Sequence, residues 1–368
     1  MSDDISILYS PFDLQGIPLA NRFVMSPMTR SRAPAHGVPD DLTVRYYTQR
    51  AGAGLVISEA TCILPGGTGT TGVPCIYEPE HIEGWRRVTD SVHAAGGHLF
   101  VQLWHTGRVS IAEWQPDGRA PIGPSAIVAN ATVHNHAGIP GPPDTPREAT
   151  LDEIAWLVEG YAQGARNAIA AGADGVEIHA CNGYLIQQFL SDVANHRTDA
   201  YGGSIERRMR FAIEVIDAVV AAVGAKRTGI RISPHADHQG SPITDATEIF
   251  PPLVSEINRR GLAYVHCVEG RPGTPFKPDD TPSVVDFKAF RRLFDGVWIA
   301  NNSYTPESAA EAIRLGHADL ISFGRPFVAN PDYVERVRLG AGMNEIDMAT
   351  IYVGFGEGGY TDYPALPT

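Results

Sequence analysis

Eight short runs of nearly uninterrupted apolar residues recur along the chain, at 22–26, 54–60, 98–104, 175–180, 228–234, 264–269, 297–301 and 320–324. A strand that does not alternate between apolar and polar is covered on both faces, which is the pattern of a parallel sheet wrapped by helices. Stretches with helical character fill the gaps. Eight such units in 368 residues predict an α/β fold, a single closed (β/α)8 TIM barrel, with residues 1–368 as one domain rather than two open-sheet domains.

The helix signals agree with those gaps. Thr150 followed by Glu153 is a capping-box pattern, opening a helix that carries Ile154, Leu157, Tyr161 and Ala165 toward Gly172. Ser204 is placed to cap a helix over 205–223 that stops at Gly224, and Thr305-Pro306 puts proline at a first helical position with Gly316 as the stop. Residues 106–146 break the rhythm with seven prolines and no sustained period. That stretch predicts a loop or hairpin insertion after the third strand, acting as a lid, with a plain surface insert as the alternative.

Composition narrows the partners. Lys+Arg 29 against Asp+Glu 42 leaves a net charge of −13, so the surface repels nucleic acid and anionic lipid. The start carries Asp3 and Asp4 without a basic region, and no apolar run approaches the ~20 residues of a membrane span. No membrane partner and no targeting segment are expected. Cys62, Cys75, Cys181 and Cys267 are scattered without a Cys-x-x-Cys pair, which predicts reduced, cytoplasmic thiols and no structural metal.

Active sites of such barrels gather at the C-terminal strand ends, and the polar residues falling there are Thr29, Glu59, Gln102, Trp104, His179, Asn182, Arg231 and Arg325. Burying these without partners is costly, so a polar ligand is expected among them. They lie within Asn21-Arg22, Pro27-Met28-Thr29-Arg30, Ser58-Glu59-Ala60-Thr61 and Gln102-Leu103-Trp104-His105-Thr106-Gly107-Arg108. His179-Ala180-Cys181-Asn182-Gly183-Tyr184-Leu185, Asn195-His196-Arg197-Thr198-Asp199 with Tyr201-Gly202-Gly203-Ser204, Phe323-Gly324-Arg325-Pro326 and Gly359-Tyr360-Thr361-Asp362-Tyr363-Pro364 complete the set. In this order, and at these strand ends, the motifs resemble the old yellow enzyme family of flavin-dependent ene-reductases. Thr rather than Cys at position 29 places the chain with that family's classical branch.

The resemblance implies tightly held, non-covalent FMN, and NADPH or NADH as hydride donor to electron-poor alkenes: α,β-unsaturated carbonyl or nitro compounds. For the cofactor it implies Thr29 and Ala60 near O4 and N5 with Pro27 beside them, Gln102 at the N3 and O2 edge, and Arg231 by N1 and O2. A guanidinium there favours the reduced flavin, whose charge gathers around N1; an ion pair between strands is the alternative for Arg231. The phosphate seat falls to Asn302, Ser303, Gly324 and Arg325, with Asn302 standing about where the family has glycine. His179 and Asn182 would hold the substrate oxygen and polarise it, and Tyr184 would protonate the α-carbon. Trp104, Thr70 and Tyr352 would shape the substrate space, Thr70 replacing an aromatic residue common among relatives. Alone, His179 reads as a core histidine and Tyr184 as the first apolar residue of a helix; together with Asn182, Gln102 and Arg231 they read as a site. Cys181 is expected to pack.

Two other functions compete. A metal-dependent barrel hydrolase would need converging ligands, and the strand ends offer only His179 with Glu59 and Glu269. A flavin-binding carrier or sensor without turnover would keep the cofactor seat alone. A monomer or a homodimer is expected.

Overall fold

The computed structural model describes residues 5–235, 237–270, 285–352, 354 and 356–367; Asp3 and Asp4 lie outside them. The eight apolar runs form eight parallel strands: β1 (Phe23–Met25), β2 (Leu55–Ile57), β3 (Leu99–Trp104), β4 (Gly175–Ala180), β5 (Thr228–Ile232), β6 (Tyr264–Val268), β7 (Val297–Asn301) and β8 (Leu320–Phe323). Each pairs with the next in chain order. β8 pairs back onto β1, with Phe323 opposite Met25, and so closes the barrel. A two-residue strand, Thr61–Cys62, adds to the upper end of β3.

The N-terminal end of the barrel is shut by an antiparallel hairpin, Phe12–Leu14 with Ile17–Leu19. Its Leu14 and Leu19 join Val24, Leu55, Ile57, Phe100, Tyr264 and Ile299 in one apolar plug. Apolar side chains fill that end, and the C-terminal mouth is where such barrels carry their chemistry. Gly175 opens β4 because a Cβ there would meet the Phe100 ring at 2.5 Å.

Outside the barrel, the helix Leu151–Ala170 begins with the reciprocal Thr150–Glu153 box, and Glu153 also takes Arg147 Nη1 at 2.7 Å. The helix Pro306–Arg314 starts with Pro306 behind a Thr305–Ser308 box. Ser204 departs from expectation. It stands at the N-cap of Ile205–Val223, yet its hydroxyl makes no capping bond. The stretch 106–146 holds a short antiparallel pair, Val133–His134 with Pro140–Gly141, and a strand, Ile122–Gly123, that pairs in parallel with Arg147–Glu148. Among the described residues no helix is long and apolar enough to cross a membrane. The four cysteines are free and buried.

Candidate active site

A cavity of about 670 Å³ opens at the C-terminal mouth of the barrel, within the size range of small-molecule sites. All fifteen side chains and glycines singled out from the sequence for cofactor, substrate or catalysis line it: Pro27, Thr29, Ala60, Thr70, Gln102, Trp104, His179, Asn182, Tyr184, Arg231, Asn302, Ser303, Gly324, Arg325 and Tyr352.

The first wall comes from the ends of β1 and β2. Ser26 N donates to Phe323 O at 3.0 Å, tying the start of the Pro27–Thr29 turn to β8. Gly324 approaches that turn so closely that a Cβ would lie 2.8 Å from Met28 Sδ. Ala60 reaches the cavity, whereas Glu59 does not. Glu59 Oε2 accepts from Arg30 N at 2.9 Å, and Glu59 N donates to Tyr47 Oη at 2.8 Å. This corrects the expectation that Glu59 awaits a ligand: it is satisfied inside the protein, and burial raises its carboxyl to about 7. Glu269 is likewise engaged, accepting from Tyr304 Oη at 2.6 Å. Among the described residues no group of three His, Cys, Asp or Glu side chains is placed to hold a metal.

β3 and β4 supply the aromatic and hydrogen-bonding face. The Trp104 ring meets Tyr184 edge-on at 5.0 Å, and Tyr184 meets His179 at 5.4 Å. Beyond β4 the chain turns through Asn182 (φ 53°) and Gly183 (φ 79°). A short polar side chain tolerates the left-handed conformation, and His238 O leaves no space for a Cβ at Gly183. Asn182 N donates to Ser233 Oγ at 2.8 Å, which anchors the turn. Tyr184 then sits at the N-cap of Leu185–Leu190 rather than inside that helix.

Burial, reinforced by the Arg231 charge, lowers the His179 imidazole to about 3, so it is neutral at physiological pH. Burial raises the Tyr184 phenol to about 12, so its proton is retained. Cys181 Sγ lies 3.5 Å from His179 Nε2, and burial raises that thiol to about 12. Such a thiol packs and does not react.

Arg231 donates through Nη2 to Asn301 Oδ1 at 2.9 Å, while its Nε has no partner among the described residues. Trp104 Nε1 and Thr106 Oγ1 are also buried at this cavity without partners among those residues. Asn302 adopts φ 124°, outside the small left-handed well, and its Nδ2 donates to Glu269 O at 2.5 Å. Arg325 is exposed at the rim, as is Tyr352.

Several lining residues had no sequence signal. Thr132, Val133 and His134 reach the cavity from the insertion, and His238 and Gln239 reach it from the turn after β5. Gln239 Nε2 lies 3.5 Å from Tyr184 Oη. His134 N donates to Gly69 O at 2.9 Å, and Ser110 Oγ donates to Thr68 O at 2.6 Å, so the insertion is fastened to the loop bearing Thr70. Position in loops far apart in sequence gives such residues no periodicity to be read.

Comparison with known proteins agrees with this geometry. Residues 7–344 match the family model described as NADH:flavin oxidoreductase / NADH oxidase. The 12-oxophytodienoate reductase 7 of Oryza sativa subsp. japonica is 42% identical over 375 residues, covering 98% of this chain and 94% of that one. Among solved structures, morphinone reductase is 44% identical with a TM-score of 0.91, covering 98% and 96% of the two chains. The old yellow enzyme homologue from Zymomonas mobilis is 38% identical with a TM-score of 0.91, covering 98% and 99%.

Proposed function

Because this chain belongs to the NADH:flavin oxidoreductase / NADH oxidase family, we propose that it binds FMN in the barrel mouth and reduces electron-poor alkenes at the expense of a nicotinamide. The observation that carries the reading is one cavity holding His179, Asn182 and Tyr184 together with buried polar atoms at Arg231 Nε, Trp104 Nε1 and Thr106 Oγ1 that have no partner among the described residues. Unsatisfied buried polar atoms call for a polar occupant, and the cationic Arg231 and Arg325 suit an anionic one. The residues present therefore fit FMN. Gln102 and Arg231 would hold its pyrimidine side, Thr29, Ala60 and Pro27 its other edge, and Asn302, Ser303, Gly324 and Arg325 its phosphate.

Bound there, FMN would supply the two-electron chemistry between NADH or NADPH and the β-carbon of the alkene. The side chains do the rest. His179, neutral, offers an N–H, and Asn182 offers its amide; two donors on one substrate oxygen stabilise the enolate or nitronate charge as it develops. Tyr184 carries its proton to the α-carbon. Trp104, Thr70 and Tyr352 limit the shape of what can enter, and 106–146 serves as the lid of a single-domain enzyme. Four buried free thiols suit a reducing compartment such as the cytoplasm.

Anaerobic mixing tests the reading. The purified protein should be yellow, bleach with NADH or NADPH, and recover its colour with 2-cyclohexenone. Tyr184→Phe should bleach at the normal rate and recover on the order of 10²-fold more slowly, the scale of general-acid catalysis. A colourless protein that ignores added FMN overturns the function, and equal slowing of both phases overturns the role of Tyr184.

A further inference from the structure

Directly below the cavity floor, the barrel interior holds a carboxylate that the site described above does not use. Glu177, on β4, is fully buried, as is His266 on β6. A lone buried carboxylate costs several kcal/mol, so its partners define its purpose. Glu177 Oε1 accepts from Gln102 Nε2 at 2.6 Å, and Glu177 Oε2 accepts from His266 Nδ1 at 2.9 Å. His266 Nε2 in turn lies 2.7 Å from Ser322 Oγ on β8. Burial holds His266 below the usual imidazole range, while the His266 contact and the Arg231 charge hold Glu177 below the usual carboxylate range against the penalty of burial. The chain Gln102–Glu177–His266–Ser322 therefore carries one negative charge, with the Arg231 cation as its counter-charge, and it spans four of the eight strands.

The carboxylate makes this chain directional. A carboxylate only accepts hydrogen bonds, so the nitrogen of the Gln102 amide has to face Glu177. One N–H and the carbonyl Oε1 of Gln102 are left for the cavity. Resting on the FMN reading above, we infer that Glu177 is a positioning residue of the cofactor seat, fixing the face that the Gln102 amide presents to the pyrimidine edge and offsetting the Arg231 charge there. A flavin pyrimidine edge offers an N3–H donor beside carbonyl acceptors, and the fixed amide matches it donor to acceptor. A neutral amide at position 177 could donate or accept, so Gln102 would be free to flip and present N–H to N–H. The seat would also become more positive, which favours the anionic two-electron-reduced form.

The test uses the FMN-loaded protein, its midpoint potential against reference dyes and its FMN dissociation constant. In Glu177→Gln the reduction equilibrium should shift about tenfold toward the reduced form, equivalent to about 30 mV for a two-electron couple, and FMN should bind about tenfold more weakly. Glu177→Asp keeps the charge but shortens the reach; its potential should stay within threefold of the parent equilibrium while FMN affinity falls. A Gln variant with parental potential and affinity overturns the inference. If that variant does not fold, an Asp variant with parental affinity does so instead. Failure of the parent protein to bind FMN is a different result and overturns the functional reading itself.

Discussion

Asn302 is where a single residue carries a measurable conflict. Its φ of 124° costs an L side chain roughly 1–3 kcal/mol, against which stands the Nδ2 bond to Glu269 O, worth about 0.5–1.5 kcal/mol. Glycine would relax the backbone, lose that bond, and add about 0.4–1 kcal/mol of unfolded-state entropy. These terms nearly cancel, so Asn302→Gly should leave stability within about 1 kcal/mol of the parent. Asn302→Ala keeps the strain and loses the bond, and should fall below Asn302→Gly by about 1 kcal/mol or more. Chemical denaturation of the three proteins checks this; an alanine variant at least as stable as the glycine variant would show that the backbone is not strained. In the sequence Asn302 stood out only because the resemblance implies a glycine about there. Its backbone angle did not, because a dihedral depends on how β7 delivers the chain to the cavity.

Among elements, the C-terminal segment that presents Tyr352 is held by arginines rather than by secondary structure. Arg32 donates through Nη2 to Thr350 O at 2.8 Å and Gly358 O at 3.2 Å, and Arg30 donates to Ile351 O at 2.9 Å and Gly359 O at 2.6 Å. Tyr46 stacks on Tyr360 at 4.3 Å, with Arg50 over the Tyr46 ring at 3.8 Å. Lysine cannot reproduce the guanidinium fork, so Arg32→Lys should free the segment while the barrel stays intact. Amide exchange at Thr350 and Gly358–Tyr360 should rise tenfold or more, with β3 and β4 unchanged; unchanged exchange at the segment would show that the fork is not its anchor. The strands themselves were legible because barrel strands are apolar on both faces. That same uniformity hid Glu177 and His266, which lie inside 175–180 and 264–268 and passed as parts of apolar runs. A charged residue in mid-strand was the available signal. Glu59 shows the opposite error, a polar strand-end residue read as facing a ligand when Arg30 and Tyr47 had already satisfied it.

For the whole molecule, buried ionisable groups set a pH dependence whose sign can be worked out. Burial lowers His179 to about 3 and His105 to about 4, and it also lowers His81, His238 and His266. Below pH 6.5 these five take up protons when unfolded but resist them when folded, so they make stability rise with pH up to about 6.5. Glu59 and Glu269, raised by burial to about 7, act in the other direction. They hold protons in the folded state between about pH 4.5 and 7, and stability falls across that window as pH rises. His98, raised by its hydrogen bond to Asp174, also favours the acid side. His98 is protonated in both states below pH 6.5 and costs stability only above it, so from pH 4.5 to 6.5 five histidines oppose two carboxylates and leave a net rise, each uncompensated proton being worth about 1.4 kcal/mol per pH unit. Below about 4.5 both carboxylates are protonated in either state and no longer oppose the histidines. Asp199 and Asp174, held below the carboxylate range by Arg197 and by the histidine contacts, add to the loss. The melting temperature measured from pH 3.5 to 8 should therefore peak near pH 6.5, decline mildly to 4.5 and drop steeply beneath it. A peak near pH 4.5 would mean that Glu59 and Glu269, rather than these five histidines, dominate the titration of the fold.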